Sequence, residues 1–248
     1  MNAVRFDFAG ARVLVTGGTS GIGLAVATAF ADAGAAVTIT GTRAAPADYE
    51  ADVSRFAYAQ LDVRDGDAIA RLAAGLGALD VLVNNAGANF ARRPTEWDPP
   101  VFEDALRLNL TGAFRMATAC RPLLAASGLD GGASVLNVAS MSAFFAVPVV
   151  PAYGAAKAGI VQMTKNLAVA WAAERIRVNA VAPGLIATRM TAGMQGVEAI
   201  EKPQLERTAM KRWGQPDEVA PTFLYLASAA ARFVTGTTVC VDGGYTAT

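Results

Sequence analysis

The stretch that decides the fold is Val13-Leu-Val-Thr-Gly-Gly-Thr-Ser-Gly-Ile-Gly23. An apolar run of strand length ends at Thr16, a glycine-rich turn follows, and residues from Gly23 to Ala33 have helical composition. Val37-Thr-Ile-Thr40 is the next strand-like run, which completes a βαβ unit. In that context Gly17 permits a tight turn, Gly21 lets backbone approach a ligand phosphate, and Gly23 allows close helix packing. A helix N-terminus placed there supplies N–H donors and a positive dipole end, so the turn reads as a phosphate cradle.

Outward from this unit, apolar runs at residues 56–61, 81–83, 134–138, 176–181 and 238–241 read as further strands separated by helical segments. The pattern predicts an α/β fold, a doubly wound Rossmann-type sheet of seven parallel strands with helices on both faces. Runs that are apolar almost throughout are what a doubly covered sheet requires. With 248 residues and no linker or repeat, a single domain over 1–248 is expected. Two segments are irregular. The connection between Arg43 and Phe56 is too short for a crossover helix and reads as a loop with at most a helical turn. The stretch 185–213, rich in Met, Thr, Gly and charge, reads as a lid over the ligand crevice at the strand ends.

Composition narrows the chemistry. Hydrophobic residues make up 53% of the chain and charged residues 17%, more apolar surface than one protomer hides, so association of copies is expected. Lys plus Arg and Asp plus Glu balance at 21 each, without the basic patch that nucleic acid or an anionic membrane would need. The chain has no histidine, which excludes Ser-His-Asp and Cys-His catalysis and the usual His-ligated metals. Cys120 and Cys240, far apart, read as two buried small residues rather than a redox pair or zinc site, and no metal is expected. The first strand-like run begins by Arg12, which leaves no room for a signal peptide, and no apolar stretch has membrane-spanning character. A soluble, cytoplasmic protein acting on a small molecule is the expectation.

The general base must then be something other than histidine. Tyr153 and Lys157 lie four apart in the first turns of a long helix expected over 151–173, and so share a face. A phenol beside an ammonium is biased towards phenolate and can exchange a proton with a substrate oxygen. Where an acid would hold the ribose hydroxyls of NAD, the second strand instead ends in Gly41-Thr-Arg43. A guanidinium there attracts a ribose phosphate, which favours NADP(H) and keeps NAD(H) as the alternative. The bland readings are a solvated Arg43 and a Ser140, Asn109 and Asp62 that merely cap turns or satisfy backbone.

The ordered set of the glycine turn, Asn84-Asn-Ala-Gly87, Asn109, Ser140 and Tyr153/Lys157 closely resembles the short-chain dehydrogenase/reductase family. Pro183-Gly184, Arg212-Trp-Gly-Gln-Pro-Asp-Glu-Val219 and Val241-Asp-Gly-Gly244 extend the resemblance over nearly the whole chain. It implies an NAD(P)-dependent oxidoreductase acting on a secondary alcohol or ketone. Tyr153 would be the acid/base, Ser140 the partner of the substrate oxygen, and Lys157 both a ribose ligand and the charge that tunes Tyr153. Asn109 would position a water for proton relay. The implied cofactor site takes Gly17, Thr19, Ser20, Gly21, Ile22 and Gly23 from the turn and Thr42 and Arg43 beyond the second strand. Asp62 and Val63 would meet the adenine, Asn85, Ala86 and Gly87 would line the channel, and Pro183, Gly184, Ile186 and Thr188 would close over the nicotinamide. A homotetramer is implied, with helices over 101–126 and 151–173 pairing across one interface and the last strand near another.

Met141, Phe144 and Phe145 beside Ser140 read as a substrate-pocket wall, or else as packing against a neighbouring subunit. Many relatives reduce 3-oxoacyl groups on an acidic carrier protein. The segment Ala126-Ser-Gly-Leu-Asp-Gly-Gly-Ala133, with an acid and no base, would repel one, so a free small molecule is expected. A non-catalytic nucleotide sensor and a Rossmann-type methyltransferase are the readings from other classes. The sensor leaves the tyrosine and lysine without purpose, and so does the methyltransferase.

Overall fold

A computed structural model describes residues 4–91 and 94–248. Among these residues seven strands form one sheet: β1 (Arg12–Val15), β2 (Ala36–Gly41), β3 (Ala57–Gln60), β4 (Val81–Asn84), β5 (Ala133–Val138), β6 (Ile176–Pro183) and β7 (Thr238–Val241). Their order is β3-β2-β1-β4-β5-β6-β7 and every pairing is parallel. The chain winds outward in one direction from β1 to β3, then crosses to β4 and winds in the other. The switch between β1 and β4 opens a crevice at their carboxyl ends, where such sheets bind ligands.

Among the described residues there are seven α-helices, most of which pack on the sheet: α1 (Gly21–Asp32), α2 (Gly66–Gly75), α3 (Pro99–Leu106), α4 (Gly112–Ala125), α5 (Pro151–Trp171), α6 (Glu198–Arg207), which buries no residue, and α7 (Pro216–Ala227). One core joins Val26 and Phe30 of α1 and Phe223 and Leu226 of α7 to Val13, Val15, Ile39 and Val83 of the sheet. A second core on the other face joins Ile69 of α2, Met116 and Cys120 of α4 and Trp171 of α5 to Leu14, Leu82 and Val135. Alternate residues of β1 thus enter opposite cores, Val13 and Val15 one and Leu14 the other. Both faces are apolar because both are covered. Among the described residues no helix is long and apolar enough to cross a membrane.

Three features differ from the sequence reading. The helix expected over 101–126 is three pieces, α3 and α4 being joined by a π-helical turn, Arg107–Thr111. An extra residue in one turn leaves the apolar pattern nearly unchanged, so periodicity does not reveal it. Cys240 is exposed rather than buried, because β7 is an edge strand with only partial cover, whereas Cys120 is buried. The helix at 151–173 ends as α-helix at Trp171 and continues as a 3-10 turn, Ala172–Glu174. The connection after β2 is as expected, a loop with one 3-10 turn at Pro46–Asp48.

Candidate active site

The glycine turn is held by the loop after β4. The buried hydroxyl of Thr16 accepts the N–H groups of Asn85 at 3.0 Å and Ala86 at 3.1 Å, and donates to the Val83 carbonyl at 3.3 Å. Asn85 answers by donating Nδ2 to the carbonyls of Thr16 and Gly17, both at 3.0 Å. Gly17 has φ 65° and Gly21 φ 56°, backbone that a side chain would strain. A Cβ on Gly17 would lie 2.9 Å from Ala86 Cα, and one on Gly23 would collide with Asn85 Nδ2 and the Gly17 carbonyl.

Ser20, the N-cap of α1, makes no side-chain cap bond, and the first turn carries no acid. The helix therefore presents N–H groups that no side chain satisfies, in a concavity only glycine backbone allows. These residues fit a dinucleotide pyrophosphate. Ile22 is half-buried and packs on the first core.

At the outer end of the cradle Thr19 is buried, with Cγ2 2.9 Å from where a Cβ on Gly41 would stand. Tyr49 fills the same space. Its hydroxyl accepts the Arg43 N–H at 2.9 Å and lies 3.2 Å from the hydroxyl of Tyr58, which donates to the Arg43 carbonyl. Burial and the neighbouring Tyr49 push the Tyr58 phenol well above its ordinary range. The Arg43 guanidinium stacks 5.0 Å from the Tyr49 ring centroid and donates to the Asp48 carbonyl. The Thr42 carbonyl accepts Gln60 Nε2 at 3.0 Å.

Asp62 is committed to a fork with Arg64, Nη2 to Oδ2 at 2.6 Å, and Arg64 also reaches Asp104 at 2.8 Å. That hydrogen bonding holds the Asp62 carboxyl below its ordinary value. Val63 is buried against Gly112 of α4.

Tyr153 and Lys157 are brought together as their spacing requires, Nζ 5.4 Å from the phenol centroid. Lys157 is buried and donates to the Val138 carbonyl at the end of β5, at 2.7 Å. Burial lowers its ammonium to about 8. Tyr153 keeps part of its surface open, yet protein surrounds it closely enough that burial pushes its phenol up to about 12. The nearby Ser140 hydroxyl opposes that rise and the charge of Glu96 reinforces it. The direction is thus opposite to the lowering that the nearness of Lys157 alone would bring, because desolvation outweighs it.

Ser140 caps the 3-10 turn Met141–Ala143 with a 3.2 Å bond from the Ser142 N–H. Beside it Phe144 is exposed, while Phe145 stacks edge-on with Tyr245 and lies under Arg207, 3.8 Å from its guanidinium carbon. Asn109 sits buried in the π turn. Its Nδ2 donates to the carbonyls of Ala88 at 2.8 Å and Ala105 at 3.0 Å, and its Oδ1 accepts the Ala88 N–H at 3.2 Å. Both amide hydrogens are therefore engaged by backbone. Gly87 lies against the same Oδ1, with no room for a side chain between.

The segment after β6 packs against the loop after β7 and against the glycine turn. Gly184 approaches Asp242 Cα so closely that a Cβ would lie 2.6 Å away. Ile186 bridges to Gly214, and Thr188 Cγ2 stands 3.3 Å from where a Cβ on Gly21 would be. Thr191 fixes both, donating to the Ile186 carbonyl at 2.6 Å and accepting the Thr188 N–H at 3.0 Å. Pro183 ends β6. Sequence reading missed Thr191, Tyr49 and Glu96. Each acts by filling space or holding backbone, and no motif marks such roles.

A family model described as enoyl-(acyl carrier protein) reductase matches residues 17–246. The chain belongs to the short-chain dehydrogenase/reductase family. It is 36% identical over 249 residues to galactitol 2-dehydrogenase (L-tagatose-forming) of Cereibacter sphaeroides, covering 97% of each chain. It is 39% identical to cis-4-hydroxycyclohexanecarboxylate dehydrogenase of Sinomonas cyclohexanicum, over 97% of this chain and 98% of that one. Among solved structures, gluconate 5-dehydrogenase from Burkholderia cenocepacia in complex with NADP and tartrate superposes with a TM-score of 0.87. There the identity is 32%, over 98% of both chains. This short-chain dehydrogenase/reductase is accordingly an NAD(P)-dependent oxidoreductase acting on CH–OH groups of small molecules.

Proposed function

We propose that this dehydrogenase exchanges hydride between NADP(H) and the secondary alcohol or ketone of a free polyol, sugar acid or cyclic alcohol, with Tyr153 as acid/base. The observation that carries the reading is the Tyr153 phenol with the Lys157 ammonium one helical turn away, 5.4 Å from the ring centroid and anchored on the carbonyl end of β5. A bound nicotinamide supplies the hydride chemistry. On oxidation, Tyr153 Oη takes the hydroxyl proton of the substrate, and on reduction it returns it. Ser140 holds the substrate oxygen. Lys157 spends one N–H on Val138 and has two left for ribose hydroxyls. Its charge stabilises the phenolate as it forms.

Asn109 fixes the loop after β4 and supplies the remaining Oδ1 lone pair to a relay water. The turn residues Gly17, Thr19, Ser20, Gly21, Ile22 and Gly23 take the pyrophosphate, and Thr42 and Arg43 take the 2′-phosphate. Asp62 and Val63 border the adenine, and Asn85, Ala86 and Gly87 the channel. Pro183, Gly184, Ile186 and Thr188 flank the nicotinamide, below a lid formed by 185–213. The guanidinium of Arg43 and the NADP in the gluconate 5-dehydrogenase complex support the preference for NADP(H) over NAD(H). The names of the relatives support the substrate class. We further infer a cytoplasmic homotetramer, supported by need of a soluble dinucleotide and by the exposed apolar side chains of Phe114, Val169 and Phe233.

The test follows reduced-nicotinamide absorbance with galactitol, gluconate and cis-4-hydroxycyclohexanecarboxylate, each with NAD and NADP. Turnover that Tyr153→Phe abolishes is expected, and turnover that survives it refutes the assignment. The description of the matching family model favours a second reading, a carrier-bound acyl substrate. Asp130 in the 126–133 segment speaks against an acidic carrier. Reduction of a carrier-bound 3-oxoacyl group in the same assay, with no free alcohol accepted, would reverse that choice.

A further inference from the structure

Glu96 is a carboxylate with no exposed surface, and no motif singles it out. Its Oε2 accepts the backbone N–H of Tyr153 at 2.8 Å and its Oε1 accepts that of Phe90 at 2.9 Å. Tyr153 is the third residue of α5, one of the positions whose N–H has no partner inside a helix. The N-cap of α5 is Val150, whose side chain cannot accept a hydrogen bond, and the first helical residue is Pro151, which has no N–H to offer. Capping of the catalytic helix therefore comes from outside it. Next along the chain, Trp97 Nε1 donates to the Pro148 carbonyl at 2.9 Å, a second tie to the same approach.

Phe90 belongs to the segment that continues from Asn84–Gly87, the loop that grips the glycine turn, and Asn109 holds that segment two residues earlier at Ala88. One buried carboxylate thus spans the distance from the cofactor channel to the backbone of the tyrosine. Burying a carboxylate is tolerated only when its lone pairs are met, and here two N–H groups and the positive end of α5 meet them. A core built for stability alone would place an apolar residue there.

We propose that Glu96 is a positioning residue for the proton-transfer step, setting the phenol of Tyr153 relative to the bound dinucleotide by holding Tyr153 and Phe90 through one carboxylate. This rests on the assignment of Tyr153 made above. Glu96 also adds negative charge near the phenol, against Lys157 on α5 and the hydroxyl of Ser140.

The experiment compares wild type, Glu96→Gln and Glu96→Asp in full-length protein. Four quantities are measured: melting temperature, NADP(H) dissociation constant, kcat and KM across pH, and hydrogen exchange of the peptide containing 152–157. Gln keeps the size but accepts through one oxygen, and Asp keeps the charge but cannot reach both donors. For Glu96→Gln we expect kcat to fall at least tenfold, dinucleotide affinity to stay within twofold, and exchange at the start of α5 to quicken at least tenfold. Loss of the negative charge favours the phenolate, so the acidic limb of the oxidation profile moves to lower pH. For Glu96→Asp that limb stays in place while kcat still falls. Unchanged kcat and exchange overturn the proposal. So does a loss of activity that only mirrors lower melting temperature and weaker dinucleotide binding, with the limb unmoved. If Tyr153→Phe retains turnover, the acid/base assignment fails instead, and the exchange measurement still reports whether Glu96 holds the helix.

Discussion

The hydroxyl of Tyr49 occupies the position from which a side chain on Gly41 would grow. The end of β2 is where an acid would select the unphosphorylated ribose, and Tyr49 closes that option sterically while Arg43 stacks on its ring. Cofactor preference should therefore resist the single change that charge logic suggests. Gly41→Asp should weaken both dinucleotides, because Tyr49 must leave and its bonds to the Arg43 N–H and Tyr58 break. Arg43→Ala should cost NADP(H) about tenfold to a hundredfold in affinity, the worth of one charge-assisted hydrogen bond, and leave NAD(H) nearly unchanged. Gly41→Asp combined with Tyr49→Ala and Arg43→Ala should prefer NAD(H). Dissociation constants from fluorescence titration decide it, and equal losses for both cofactors in Arg43→Ala would remove the phosphate from the explanation.

Gly23→Ala tests the cradle from the other side. The added methyl meets Asn85 Nδ2 and the Gly17 carbonyl, two partners that hold the turn to the loop after β4. Because one of them is backbone, relief requires the turn itself to move. We expect binding of either dinucleotide to weaken by more than tenfold, with a melting temperature lowered by a few degrees, since overpacking costs about 1–3 kcal/mol. Calorimetric titration at matched folded fraction separates the two effects.

The sheet and the cradle were legible because they depend on local pattern. Each strand is a short apolar run bounded by turn residues, and the turn between Thr16 and Gly23 has glycine where backbone must pass close to backbone. Tyr153 and Lys157 were legible for the same reason, since a spacing of four fixes a shared face. What pattern does not encode is what one segment does to another far away in sequence. Glu96 reads as one acid in a polar loop until α5 is placed above it. The π turn at Asn109 adds one residue per turn without disturbing the apolar stripe, and Cys240 looks like a core residue until its strand proves to be the edge. The rise of the Tyr153 phenol belongs to this class as well, because desolvation is a property of the assembled site.

Arg177 carries a prediction about stability alone. Buried in β6, it donates Nε to the Gly131 carbonyl at 3.0 Å and Nη2 to the carbonyls of Ala227 at 3.0 Å and Ser228 at 3.4 Å. It also reaches Leu226, so its fork caps the carbonyl end of α7. Arg177→Met should destabilise by about 3–5 kcal/mol, because several buried carbonyls lose their donor together. Arg177→Lys should recover only part of this, since an ammonium cannot reproduce a planar fork. Denaturant unfolding measures the loss, and activity per folded molecule should stay near wild type. A cost below about 1 kcal/mol, the scale of one ordinary hydrogen bond, would mean that water replaces the guanidinium.

The last prediction concerns Lys157, whose ammonium burial brings from 10.5 to about 8. The unfolded chain therefore binds a proton more readily than the folded one between those values. Stability linked to this group rises with pH across that window and is at its least below pH 8, where folding must bury the charge. A depression of that size corresponds to about 3 kcal/mol at about 1.4 kcal/mol per unit. Lys157→Met removes the ionisation while keeping the apolar stem, and leaves the Val138 carbonyl unpaired at every pH. Subtracting the variant from wild type thus isolates the proton. We expect the difference in unfolding free energy to move in favour of wild type by up to about 3 kcal/mol between pH 8 and 10.5, and to be flat between pH 6 and 7. The variant should lack turnover throughout, which makes the buried ammonium a cost to stability retained for catalysis. A flat difference across the whole range would show that the ammonium is solvated in the folded protein, and the phenolate would then need another source of positive charge.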